Sequence, residues 1–158
     1  MNYQGISTSK GIAFGTVFLL KKVKPDVSFK LCDDVEMALE LLVDAVEKSK
    51  IQLDQLKEKT RVKIGESESR IFDAHRLIVE DPEFIKAIED VIKQEQVVPA
   101  HAIDIVRKQF EALFLAMDND YMRERAADIN DVGNRLIKNV LGIEDHMNIP
   151  SQAIIVCE

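Results

Sequence analysis

Ser69 to Phe84, SRIFDAHRLIVEDPEF, is the stretch that decides the fold. Wound at about 100° per residue, Glu68, Ile71, Phe72, His75 and Val79 share one stripe of a helix. Ser67, Arg70, Ala74, Leu77, Ile78 and Asp81 share roughly the opposite stripe. The first is an ordinary core face. The second keeps Ala74, Leu77 and Ile78 where a surface helix normally turns polar. Asp81-Pro82 then ends the helix, because a residue before proline resists the helical region. Pro82 opens a new helix with Asp81 as its cap, and this is expected to deliver Phe84 beside the same exposed edge. A helix apolar on both sides and followed by a kink is either sandwiched in a core or carries a docking surface. The stripe favours docking, since apolar patches on soluble domains mark interaction sites.

Working outward, Asp33 and Glu36 form a capping-box-like start. A long helix is expected from there to about Lys59, with Val35, Leu39, Leu42, Val46, Leu53 and Leu56 on one face. After Pro82 a short helix carries Ile85, Ile88 and Ile92. Pro99 opens the next, with Ile103, Val106, Phe110, Leu113 and Met117 facing inward. Asp118-Asn119-Asp120 is a turn that lacks the glycine and terminal glutamate of a calcium loop, and Asp120 is the expected cap of the last helix. That helix carries Met122, Ala126, Ile129, Val132, Leu136 and Val140, and Gly142 sits where a left-handed C-cap belongs. The fold class is therefore mostly α: a bundle of about four antiparallel helices, one kinked at Asp81-Pro82.

The two ends read differently. Residues 5–20, GISTSKGIAFGTVFLL, are punctuated by Gly5, Gly11 and Gly15 and read as a strand ending in Val17-Phe18-Leu19-Leu20. No phosphate-loop pattern is present, and a bulge or tight bend explains the glycines better. Ile149-Pro150 leads into Ala153-Ile154-Ile155-Val156-Cys157, an uninterrupted apolar run of the kind buried in a sheet. One strand is not stable alone, so each is expected to find partners in a longer chain of which this sequence is a piece.

Bulk properties narrow the function. The chain has 158 residues, 46% apolar and 31% charged, with only 6 Gly and 4 Pro, as suits a globular chain of long helices. Its net charge of −7 disfavours nucleic acid, which needs a basic face, and a basic protein partner is expected instead, with solubility alone as the other reading. Cys32 and Cys157 lie far apart and outside any CxxC pattern, so zinc and a disulfide framework are not expected. No signal peptide and no membrane-length apolar run is visible, and a cytoplasmic location is expected.

Catalytic chemistry is not found. His75 sits in the core stripe and reads as a packed, hydrogen-bonded histidine; His101 follows Pro99 at a helix start; His146 falls in a loop. None has ligands at metal spacing or a Ser-His-Asp partner set. Arg123, Glu124, Arg125, Asp128, Asp131 and Arg135 mix signs at helical spacing. They read as surface ion pairs, or, for Arg125, as a charge beside the exposed stripe.

Three segments resemble a known family: GISTSKGIAFGTVFLL at the start, IFDAHRLIVEDPEF in the middle, and YMRERAADINDVGNRLIKNVLG near the end. The last is the most specific. Together they cover most of the chain and resemble the N-terminal part of Enzyme I of the bacterial phosphoenolpyruvate:sugar phosphotransferase system. The resemblance implies residues 1–31 as a strand and connector of an α/β phosphohistidine domain, 32–143 as a helical HPr-binding domain, and 144–158 as a linker and returning strand. It implies a whole enzyme that moves phosphate from phosphoenolpyruvate to its own histidine and on to the carrier HPr. The family's active histidine lies in a GGxxSH-type motif further downstream, which is absent here, so this chain alone is expected to be inactive. Magnesium is implied only for the full-length enzyme, as is a homodimer, with this piece expected to be monomeric. By resemblance the HPr-docking residues are Glu66, Ser67, Arg70, Asp73, Ala74, Leu77, Ile78, Asp81, Phe84 and Arg125. Ser67 and Arg70 depart from the acid and small residue that the family often has. Two other readings stand beside this one: a nitrogen-related or dihydroxyacetone-kinase phosphotransfer paralogue, and a helical scaffold without phosphotransfer.

Overall fold

In the computed structural model, residues 10–20, 24–143 and 152–157 are described. His146, Ile149-Pro150 and the first part of the expected opening strand lie outside them. The chain divides into two compact units, Pro25–Glu144 and the two chain ends, Met1–Lys24 with Asp145–Glu158.

The helical unit begins with a connector pinned by backbone bonds: Cys32 N donates to Gln96 O at 2.8 Å, and Val98 N donates to Lys30 O at 2.9 Å. Residues 25–31 therefore go with the helices rather than with the strand before them. Six helices follow: α1 (Val35–Lys63), the single-turn α2 (Glu66–Ser69), α3 (Ile71–Val79), α4 (Pro82–Glu95), α5 (Pro99–Leu115) and α6 (Asp120–Val140). Asp34, not Asp33, caps α1, accepting from Glu36 N and Met37 N. Likewise Asn119, not Asp120, caps α6. In each case the cap is the residue in extended conformation whose side chain can turn back onto the first free N–H groups. The expected Asp81 cap forms, with Oδ1 accepting from Glu83 N at 2.8 Å and Phe84 N at 3.3 Å. α1 runs one turn past Lys59, to Lys63, and Gly142 adopts the left-handed C-cap conformation, φ +64°.

The core lies where α1, α4, α5 and α6 converge. Ala38, Leu42, Ala45 and Leu53 of α1 meet Phe84, Ile88 and Ile92 of α4, Ile103 and Val106 of α5, and Ile129, Val132, Leu136 and Ile137 of α6. α5 and α6 approach closely enough that Gly133 has no room for a side chain: an added Cβ would stand 2.8 Å from Arg107 Cβ. Arg107 reaches Asn130 across this seam, while within α5 it also holds Asp104, as does Lys108, at 2.7 Å. A second polar seam joins α1 to α6, where Asn139 donates to Ser49 Oγ at 2.8 Å and accepts from Gln52 at 2.9 Å. Leu113, expected inside, is 56% exposed; Phe110 and Phe114 take the core side of α5 instead.

In the other unit, β1 (Thr16–Leu20) and β2 (Ala153–Cys157) pair in parallel, with Thr16 opposite Ala153 and Leu20 opposite Cys157. Gly15 is needed there for close approach, because a Cβ would lie 2.0 Å from Gln152 O. Ile154, Ile155 and Val156 are exposed in this two-stranded pair rather than buried as expected, since two strands alone cover neither face.

Candidate docking site

The end of α3 and the kink at Asp81-Pro82 lie beside the end of α5 and the start of α6. Leu77 and Ile78 of α3, Asp81 of the kink, Phe114 of α5, and Tyr121, Met122 and Arg125 of α6 line a groove of about 310 Å³. Leu77 is 66% exposed and Ile78 half-buried, so the outward stripe is surface and not a second core face. Apolar side chains form the floor and walls, with Asp81 and Arg125 adding one charge of each sign. Arg125 is oriented by its neighbour: its guanidinium lies 4.7 Å over the Tyr121 ring and donates to the Tyr121 hydroxyl.

The other residues expected in the site are placed differently. Ala74 is half-buried on the stripe of Leu77 and Ile78. Glu66 and Ser67 are exposed on α2, and Arg70 is exposed at the α2–α3 junction. Asp73 is exposed but already paired, 2.7 Å from Lys57 of α1. Phe84 contradicts its expected place beside the exposed edge. It is fully buried, edge-on to Phe110 with ring centroids 5.1 Å apart. As the third residue after the Asp81 cap, it points into the bundle because α4 presents Phe84, Ile88 and Ile92 as one stripe.

Three groove residues were missed: Phe114, Tyr121 and Met122. Two signals were available. Residues 112–117, ALFLAM, are apolar beyond what an amphipathic helix end needs, and Tyr121 and Arg125 stand at i and i+4.

Behind the groove, His75 is 6% exposed and its Nε2 lies 3.2 Å from Asp128 Oδ1 of α6. The carboxylate only accepts, so Nε2 carries the proton and donates. His101 Nδ1 donates to Val27 O at 2.9 Å and meets Phe29 edge-on. Both are structural placements. Among the described residues no three His, Cys, Asp or Glu side chains gather as metal ligands, and no helix is long and apolar enough to cross a membrane. What this arrangement offers chemically is exposed apolar area flanked by one charge of each sign.

The fold and the groove define a helical region with an open, largely apolar surface groove. The chain belongs to the family described as PEP-utilising enzyme, N-terminal, whose model matches residues 4–125. It is 40% identical over 144 residues to the phosphoenolpyruvate-protein phosphotransferase of Staphylococcus epidermidis, covering 89% of this chain and 25% of that protein. It is also 40% identical over 157 residues to the Priestia megaterium protein of the same name, covering 98% of this chain and 27% of the relative. The chain thus spans about a quarter of the length of these relatives. Among solved structures, a solution structure of Enzyme I (nEIt) superimposes with a TM-score of 0.84 at 31% identity, over 94% of this chain and 62% of that one. The N-terminal domain of a nitrogen-type Enzyme 1 shares the fold, with a TM-score of 0.70 at 18% identity, over 87% of this chain and 58% of that one.

Proposed function

We propose that this chain is the carrier-docking region of an Enzyme I-type phosphotransferase of the sugar system. Its groove receives an HPr-type phosphocarrier, so that a phosphoryl group passes to the carrier from a phosphohistidine borne elsewhere in the enzyme. The observation that supports this best is the groove itself: Leu77 stands mostly exposed beside Ile78, Phe114 and Met122, between Asp81 and Arg125. Apolar side chains of this kind are anchors when a partner covers them, and the flanking charges fix its orientation. Glu66, Ser67 and Arg70 extend the contact along α2, with Arg70 selecting among carriers by its positive charge. Phosphoenolpyruvate and magnesium enter this reading only through the rest of the enzyme. The chain by itself is a monomer in this reading, and the whole enzyme a homodimer.

The test is a titration of the isotope-labelled chain with an HPr-type carrier, followed by NMR. Shifts should concentrate at Leu77, Ile78, Tyr121, Met122 and Arg125. Leu77→Asp should weaken binding by at least about 2 kcal/mol, or roughly thirtyfold, with helicity retained. A folded chain with no shifts at millimolar carrier overturns the reading in favour of a scaffold without phosphotransfer. Unfolding of Leu77→Asp would instead return the stripe to the core.

A further inference from the structure

α3 is a nine-residue helix held from two sides. Toward α1 it is tied by exposed ion pairs, Lys57 to Asp73 at 2.7 Å and Asp54 to Arg76 at 2.5 Å. Toward α6 it is tied by the bond from His75 to Asp128. The His75 ring is wedged edge-on against Phe72, with centroids 6.2 Å apart. On α3, His75 stands just before the groove residues Leu77 and Ile78; on α6, Asp128 stands one turn after Arg125. The bond therefore spans the two helices that form opposite walls of the groove.

We infer that the His75–Asp128 bond is the positioning tie that sets the spacing of α3 and α6, and with it the width of the docking groove. His75 is a positioning residue, because its ring is buried and offers nothing to a partner. The physical basis is the asymmetry of the two ties. The ion pairs to α1 are exposed and individually weak. The bond to Asp128 is made by a buried group whose geometry is restricted by neighbouring side chains. Asp128 keeps 20% of its side chain exposed. Removing His75 thus leaves a carboxylate that water can reach, and Val79 keeps α3 anchored in the core, so the fold survives while the spacing of α3 and α6 loses its polar tie. The binding consequence rests on the docking reading; the spacing consequence does not.

Two measurements separate these. Residual dipolar couplings of the free chain report the angle between α3 and α6, and calorimetry with an HPr-type carrier reports affinity. Four proteins are compared: the parent, His75→Leu, His75→Gln and Asp128→Ala. His75→Leu and Asp128→Ala should change the α3–α6 couplings and lower affinity about tenfold, with a coupled double variant no worse than either single. His75→Gln, whose amide nitrogen sits near the place of Nε2, should restore both. Unchanged couplings in both deletion variants overturn the inference, as does an affinity loss that His75→Gln fails to restore. If His75→Leu does not fold, Asp128→Ala decides alone, being altered at the partly exposed end. A parent that binds no carrier defeats the docking reading, while the couplings still decide the tie.

Discussion

Phe84 separates a docking residue from a core residue most sharply. It is fully buried and meets Phe110 edge-to-face at 5.1 Å. Truncation to alanine removes a whole buried ring and leaves a cavity between α4 and α5. Such changes cost about 3–5 kcal/mol, and the lost aromatic pair places Phe84→Ala near the middle of that range, about 4 kcal/mol. With a urea dependence of about 2 kcal/mol per molar, the unfolding midpoint should fall by about 2 M. In a thermal melt, a chain of this size should lose about 8–16 °C. Urea unfolding followed by circular dichroism at 222 nm makes the measurement, and carrier titration is done below the transition. Docking by the folded fraction should persist, because Leu77, Ile78 and Met122 still line the groove. A midpoint shift under about 0.5 M together with lost docking would refute the reasoning, because a residue outside the core has little effect on stability.

Two further outcomes test α5, one at its seam with α6 and one at the buried carboxylate of Asp104. Gly133→Ala should lower stability by about 1 kcal/mol net in a thermal melt: helix propensity alone favours alanine by about that much, but the new methyl overlaps Arg107 Cβ and Cδ and forces the helices apart. Asp104 is buried, which pushes its carboxyl up, but hydrogen bonds from Lys108 and Arg107 and their charges outweigh this and hold it below the ordinary 3.8. A carboxyl depressed in the folded state contributes stability above about pH 4, and that contribution disappears as pH falls through the folded value. Asp104→Asn should therefore cost about 1–3 kcal/mol at pH 7. The gap to the parent should narrow below pH 4, as read from urea melts at pH 7 and pH 3.

Most of the helices were legible because their signals are local. Period, proline and cap chemistry act within a turn or two, so Asp81-Pro82, Pro99 and Gly142 placed their boundaries correctly. The two misplaced caps, Asp33 for Asp34 and Asp120 for Asn119, failed for a reason equally local. Adjacent polar residues all qualify by composition, and only the backbone dihedral of one of them lets its side chain reach back. Four of the seven groove residues were legible too, since Leu77, Ile78 and Asp81 share one stripe at helical spacing and Arg125 was read as a charge beside it.

The sequence by itself determined which residues share a stripe, where each helix turns, and that α3 carries apolar side chains on two faces. Tertiary structure decided which of those faces goes inward. It put Phe84 beneath the surface, turned Leu113 out, brought Phe114, Tyr121 and Met122 to the wall opposite Leu77, and paired the end strands in parallel. The physical reason is that periodicity is a property of one helix, whereas burial is shared among several. A side chain of α4 is inside only because α1, α5 and α6 close over it, and no pattern within α4 records their arrival.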